Sequence, residues 1–229
     1  YSRIRNAFVI IIRNIIKLLS DITSDGYVYR VDLRLRPDPS SNPICIGVQA
    51  AQRYYENFGR NWERAAFIKA RLIAGDKTCG SRFLNSIQSF IWRKNLDFAA
   101  IEDINAIRKK IQKKNLEKPI TNLLGYNIKT GRGGIREIEF FVQTQQLIRG
   151  GKDKTLRDSA TINALKALEV NRLISKKDQQ TLVRSYTQLR NLEHILQLIE
   201  DAQTHSIPKS LDKVKNIAIL FGISNNKNF

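Results

Sequence analysis

The sequence predicts a mostly α-helical protein with a small β portion near its start, an α+β arrangement in which a short β-containing region leads into a helical bundle. Three observations carry this expectation. From Val48 onward, apolar residues recur at spacings of three and four, the period of a helix with one buried face. A single run, Tyr29-Arg-Val-Asp-Leu-Arg-Leu-Arg-Pro37, alternates instead, with Tyr29, Val31, Leu33 and Leu35 on one face and Arg30, Asp32, Arg34 and Arg36 on the other. Turn residues bracket that run on both sides, Ser24-Asp-Gly26 before it and Asp38-Pro-Ser-Ser-Asn-Pro43 after it.

The elements follow in order. The chain opens inside a helical pattern, with Ile4, Phe8, Ile11, Ile15 and Leu18 or Leu19 on one stripe. The alternating strand comes next, and Ile44-Cys-Ile46 is expected to return beside it. Helices are then expected over 49–58, 61–74, 82–90, 98–114, 135–149, 155–170 and 177–203. Two separators stand among them: a polar stretch from Lys113 to Asn127 with Pro119 and Gly125, and the glycine-rich Gly131-Arg-Gly-Gly134. The expected division is residues 1–95 for the β-containing region and 96–229 for the bundle.

At 229 residues the chain suits one large domain or two small ones. Its longest apolar run, Ala7 to Ile12, is far too short to span a bilayer, so no membrane is expected as a partner. The chain has no methionine and begins mid-pattern, and we expect it to be a piece of a longer protein. The net charge of +18 is spread along the whole length, with one dense stretch at Arg108 to Lys118. Zinc-finger spacings and aromatic-studded basic strands are missing, so solvated basicity is the expectation rather than a nucleic-acid partner. Cys45 and Cys79 make no CxxC pair, which fits a reducing compartment, and a cytoplasmic location is expected.

Four places have side chains suited to chemistry. Asp32, pointing away from an apolar strand face, suits a divalent cation, with Arg30 and Arg34 as phosphate partners. The other reading of that face is a solvated strand with local ion pairs. In Trp62-Glu-Arg-Ala-Ala-Phe-Ile-Lys-Ala-Arg71, a helical wheel puts Lys69 amid the stripe of Trp62, Ala65, Ala66 and Ile73, with Arg64 and Arg71 opposite. Lys69 either snorkels its stem or reaches a buried carboxylate or phosphate; a nucleotide site beneath it would claim it first.

Gly131-Arg-Gly-Gly134 opens a helix and either admits an anion at its free N–H groups or makes a tight turn; no Walker Gly-Lys-Ser/Thr follows. In that helix Arg136, Glu139, Gln143 and Gln146 form a stripe with apolar residues on both sides, so Glu139 is expected to be mostly buried and paired with an arginine. Arg136 is the nearest candidate and Arg190 the alternative. Glu137 and Glu139, two apart on a helix, point away from each other and are excluded as a joint metal site. Finally, Leu182, Leu189 and Leu196 make a core stripe into which Glu193 intrudes, with Arg190 or His194 available to satisfy it. Glu139, Arg136, Arg190 and Glu193 together are expected to form a structural polar network. With only His194 and His205 in the chain, neither a histidine-rich metal site nor a Ser-His-Asp triad is credible.

Taken together, several blocks resemble one family. Tyr29–Pro37, Tyr54-Tyr55, Gly59–Arg71 with Gly75-Asp76, Leu96-Asp-Phe98, Asn127–Gln143, Gln146–Gly151, Leu189–Gln197 and Gln203-Thr-His205 are similar, in order, to the glutamine synthetase adenylyltransferases, the adenylyl-transferring and adenylyl-removing enzymes of bacterial nitrogen regulation. The resemblance implies two nucleotidyltransferase units in one parent chain, each of polymerase-β type with three acidic residues holding two Mg2+ ions. It implies that this chain is similar to the N-terminal unit, which removes AMP from a tyrosine of glutamine synthetase by phosphorolysis to give ADP; the other unit adds AMP from ATP.

On this resemblance, residues 1–95 are the later part of a nucleotidyltransferase domain and Asp32 matches the third carboxylate. The first two would stand in a Gly-Ser-Asp-x-Asp stretch before the opening helix, and this sequence contains no such stretch. The fragment alone is therefore expected to be inactive, and the enzymatic expectation belongs to the parent. Gly47, where the family commonly has a Ser cap, and Thr130, where it commonly has an apolar residue, are minor departures. Arg30, Arg34 and Lys69 are expected, from position, to stabilise charge on the transferring phosphorus. The implied partners are glutamine synthetase and the PII signal protein. The alternative is a non-catalytic basic helical module that binds a regulatory protein or nucleic acid.

Overall fold

In the computed structural model, which describes residues 2–94 and 122–222, the described chain is mostly helical, but the helix expected over 82–90 is two helices, 77–86 and 88–91, and that expected over 155–170 begins only at Thr161. The helices are α1 Ser2–Ser20, α2 Val48–Asn57, α3 Asn61–Ile68, α4 Lys77–Ser86, α5 Gln88–Ile91, α6 Ile135–Arg149, α7 Thr161–Val170, α8 Lys176–Glu200 and α9 Leu211–Leu220, with a 3-10 turn at Lys154–Leu156 before α7. The expected helix 98–114 lies outside the described residues. The chain divides into two units, Tyr1–Trp92 and Arg93–Phe229.

The expected β portion is corrected. Neither 29–37 nor 44–46 forms a strand, and the described residues contain only isolated bridges, Thr23 with Gly26 and Asn127 with Ser206. Alternation states which side chains can share a face, but a strand also needs a hydrogen-bonded neighbour. Here the Tyr29 N–H donates back to the Leu19 carbonyl of α1 at 2.7 Å, and the later bonds stay local: the Arg34 N–H donates to the Asp32 carboxylate at 2.9 Å and the Arg36 N–H to the Leu33 carbonyl at 3.3 Å. Tyr29 and Leu35 remain 68% and 59% exposed, so the alternating face is not buried.

In the first unit the core is aromatic. Tyr55 on α2 packs edge-on against Phe67 of α3 at 4.8 Å between ring centres and lies 5.2 Å from Phe90 of α5. Ile68, Ile87 and Ile91 of the same unit are buried as well. Gly59, between α2 and α3, is required by close approach, since a Cβ there would collide with the Phe90 ring. Gly47 stands at the N-cap of α2 and supplies no side-chain bond there. The apolar stripe of α1 is left largely exposed, with Phe8 at 53% and Ile11 at 51%.

Two corrections concern α3. It ends at Ile68 rather than Ala74, the Lys69 N–H closing the last turn on the Ala66 carbonyl at 3.1 Å. Asp76 then caps α4, accepting from the Cys79 N–H at 2.9 Å. Ile73 consequently lies outside the helix and is 82% exposed. The buried face of α3 includes Glu63 and Arg64, 1% and 0% exposed, while Trp62 keeps 38% exposure. Arg64 is not on the solvent side: its Nε and Nη2 donate to the Ile91 carbonyl at 3.2 and 3.1 Å, tying α3 to α5.

In the second unit α6, α7 and α8 pack around Ile138, Val142, Leu156, Leu165 and Leu168, with Leu182, Val183 and Leu189 partly buried against them. Gln146 is 1% exposed, and its side-chain amide donates to the Leu156 and Asp158 carbonyls, both at 2.7 Å, fastening α6 to the 3-10 turn and the segment after it. Ser175 caps α8 by accepting the Asp178 N–H at 3.0 Å. A second apolar cluster joins Ile128, Leu196 of α8 and Ile217 of α9. Helix α9 was not expected; Ser210 followed by Val214 and Ile217 is its readable signal.

Candidate functional site

Asp32 stands in an irregular segment, its side chain 43% exposed, and Arg34 clasps it. Arg34 Nε donates to both carboxylate oxygens, at 3.0 and 2.9 Å, and Nη2 to Oδ2 at 2.6 Å. The Arg34 hydrogen bonds, helped by the positive charges of Arg34 and Arg30, hold the Asp32 carboxyl down at about 2, so it is ionised throughout the neutral range. Arg30 is exposed in the same segment. Lys69 is the exposed C-cap of α3.

A magnesium ion asks for several oxygen ligands at once. Among the described residues no three Asp, Glu, His or Cys side chains come close enough to hold a metal ion, and both oxygens of Asp32 are engaged by Arg34. The described residues thus do not by themselves fit a magnesium ion. What they offer alone is one ionised carboxylate bracketed by arginines.

A groove of about 580 Å3 opens in the same unit, and Asp32, Arg30, Arg34 and Lys69 are not among the residues that line it. The aromatic side chains of Tyr54, Phe58 and Trp62 meet the polar residues Asp38, Ser41 and Asn42 there. Arg60 and Glu63 also line it. Tyr54 Oη donates to Glu63 at 3.2 Å, and the Arg60 N–H donates to the same carboxylate at 2.8 Å, which fixes the start of α3. Burial first, then the Glu63 carboxylate, raises the Tyr54 hydroxyl above its ordinary range.

In the second unit charged side chains of α6 and α8 cluster. Glu139 of α6, 19% exposed, pairs with Arg190 of α8 at 2.7 Å and accepts from Tyr186 Oη at 3.1 Å. Arg190 also donates from Nη1 to Glu193 at 2.6 Å, and its Nε donates to the Tyr186 hydroxyl at 3.1 Å. The partner of Glu139 is therefore Arg190; Arg136 is exposed on α6. Glu193, 3% exposed, is reached in addition by Lys129 at 3.5 Å and by His205 Nδ1 at 2.9 Å. The His205 contact is close but poorly aligned as a hydrogen bond. Burial would raise Glu193, but the Arg190 hydrogen bond and the charges of Arg190 and Lys129 outweigh it and hold the carboxyl low. His194 is exposed and is not the partner of Glu193.

The glycine-rich entry to α6 is a turn. Gly133 takes a φ of +71°, and its N–H donates to the Glu137 carboxylate at 3.0 Å, so the helix start carries its own anion. Glu137 and Glu139 thus serve separate partners. Tyr186, Lys129 and His205 were missing from the expected network. Tyr186 lies four residues before Arg190 and was within reach of spacing alone; Lys129 and His205 come from segments 76 apart, with no local signal.

His205 gives this cluster a pH dependence. Burial and the nearby Lys129 charge lower its pKa below the ordinary 6.5, with Glu193 opposing only in part. The unfolded chain takes up the proton first, so stability is complete above about 6.5 and is lost as pH falls below it. Thermal melts from pH 7.5 to 5.5 should show a falling midpoint, and His205→Gln should flatten that slope. Parallel slopes for the two proteins would locate the effect elsewhere.

Among the described residues no helix is long and apolar enough to cross a membrane. Residues 3–86 match the family model described as glutamate-ammonia ligase adenylyltransferase, and residues 105–229 match that of the GlnD PII-uridylyltransferase. The bifunctional glutamine synthetase adenylyltransferase/adenylyl-removing enzyme of Caulobacter vibrioides is 52% identical over 209 residues, 91% of this chain and 21% of that protein. Those of Bartonella quintana and Rhizobium meliloti are 47% and 48% identical over 98% and 97% of this chain, and 23% and 22% of their own lengths. The chain spans about a fifth of the length of these relatives, and both matched regions fall inside one relative. The chain belongs to the glutamine synthetase adenylyltransferase family.

Proposed function

We propose that this chain is part of a bifunctional nucleotidyltransferase that adds AMP to, and removes it from, a tyrosine of glutamine synthetase, and that it belongs to the half that removes AMP. The observation that carries the reading is identity near 50% to adenylyltransferase/adenylyl-removing enzymes across both units of the chain. It favours an enzyme over a non-catalytic basic module. Residues 1–95 would be the later part of the nucleotidyltransferase domain and 96–229 its helical bundle.

In the removing direction inorganic phosphate attacks the AMP phosphorus, the protein tyrosinate leaves, and ADP forms. Negative charge grows on the oxygens during that displacement. Arg30, Arg34 and Lys69 would stabilise it, Arg34 by exchanging part of its clasp on Asp32 for a phosphate oxygen. Asp32 would be one of the acidic residues of a magnesium-dependent parent, the remainder coming from outside the described residues. ATP, ADP and phosphate are the small substrates and products on this reading, the PII protein is the regulatory partner, and the cytoplasm is the compartment.

The direction is tested with the full-length protein and AMP-modified glutamine synthetase. Phosphate-dependent release of ADP should be lost in Asp32→Asn while ATP-dependent addition persists. Loss of addition with removal intact would assign this chain to the opposite half.

A further inference from the structure

The groove at the start of α3 takes no part in the charge chemistry of Asp32, yet it is built to hold something. Phe58 and Trp62 line it with 72% and 38% of their surface exposed. Their backbones are held at helix ends, Phe58 as the C-cap of α2 and Trp62 in the first turn of α3. Tyr54 is pinned by its hydroxyl to Glu63, which is itself 1% exposed. Exposed aromatic faces on fixed backbone beside a polar loop make a stacking platform for a planar ring.

Charge decides which part of a ligand enters. Hydrogen bonds from Ser40 and Ser41 hold the Asp38 carboxyl below its usual range, so it is ionised at neutral pH. Glu63 is a second carboxylate and Arg60 the single cation among the lining residues. With Asp38 and Glu63 against Arg60 the lining is net negative, which disfavours a phosphate; a neutral heterocycle bearing hydroxyls can use the Asp38 carboxylate as acceptor and the Arg60 and Ser41 side chains as donors. Asn42 donates its side-chain amide to the Pro37 carbonyl at 3.1 Å, which leaves its side-chain oxygen as an acceptor for a ring amine.

We infer that this groove binds the nucleoside end of a nucleotide, the base against Trp62 and Phe58 and the ribose hydroxyls toward Asp38, with the phosphates directed out of it. The choice of adenosine among nucleosides rests on the proposed AMP-transfer reading; the stacking and the exclusion of phosphate do not.

The test is calorimetric titration of the full-length protein that contains this chain, and of its variants, with adenosine, adenine and inorganic phosphate. Adenosine should bind, and Trp62→Leu and Phe58→Ala should each weaken it about tenfold. Asp38→Asn should weaken adenosine while leaving adenine unchanged, and phosphate should not displace adenosine. Both rings are exposed, so circular dichroism should be the same for each variant as for the parent chain. No adenosine binding, unchanged affinity in both ring variants, or displacement by phosphate would overturn the inference. If the groove fails but Asp32→Asn still abolishes AMP removal in the full-length protein, the functional reading stands without it. If adenosine binds here but Asp32→Asn changes nothing, the groove stands and the functional reading falls.

Discussion

Arg190→Ala should destabilise the helical unit by about 3 kcal/mol, the lower end of the roughly 3–5 kcal/mol lost when one member of a buried ion pair is removed. The Arg190 guanidinium touches Glu139, Glu193 and Tyr186 together. Among the described residues its removal leaves Glu193, 3% exposed, with Lys129 at 3.5 Å and a His205 that burial and Lys129 bias toward neutrality. The lower end applies because Arg190 is itself about one-third exposed, so water partly compensates.

Glu139→Ala should cost less, about 1–2 kcal/mol, since Arg190 keeps Glu193 and Glu139 is already partly wetted. Urea denaturation of the three proteins checks both the sizes and their order. Should Glu139→Ala leave stability untouched and instead collapse metal or nucleotide affinity of the full-length protein, Glu139 would belong to an active site and the structural account of it would be wrong.

Asp32→Asn in the full-length protein should reduce AMP removal by at least about 100-fold while leaving the fold unchanged. Even residues that merely orient a metal ligand cost up to about that factor when lost, and on the proposed reading of Asp32 as a metal ligand its loss should cost no less. The amide also loses the charge that holds Arg34, whose guanidinium grips both oxygens. The fold should survive because Asp32 is 43% exposed, Arg34 is 82% exposed, and an ion pair so open to water adds little to stability. Steady-state rates and a thermal melt decide it together: near-normal rates in Asp32→Asn remove the assignment, and a lowered melting midpoint would make Asp32 structural instead.

Helix α6 was legible to the residue, because Ile135, Ile138, Val142 and Leu147 state both the period and the buried face within fifteen residues. Helix α2 was legible to within one residue at each end, for the same reason. The strand over 29–37 was not. Its side-chain pattern is real, but a strand is completed by another strand, and the described residues offer it none. The place of Lys69 on an apolar stripe was misjudged through the same kind of error one level up: the wheel assumed that the helix ran to Ala74, and α3 stops at Ile68. Arg64 was misjudged because the bonds that draw it inward go to a main-chain carbonyl, Ile91, which presents no side-chain signature to find.

The family resemblance, the helical class, the positions of α2, α6 and α8 and the exclusion of Glu137 with Glu139 as a joint site were all determined by the amino-acid sequence. Each depends on neighbours three or four apart or on blocks of consecutive residues, and the chain carries that information locally. Tertiary structure alone decided that Glu139 pairs with Arg190 across 51 positions rather than with Arg136 one turn away. It alone brought Lys129 and His205 to Glu193, and made a groove from the end of α2, the start of α3 and the loop at Asp38. A buried charge takes whichever opposite charge the packing delivers at hydrogen-bond distance, because the desolvation cost falls only when the geometry is met. That geometry is a property of how the helices cross, which no stretch of sequence states by itself.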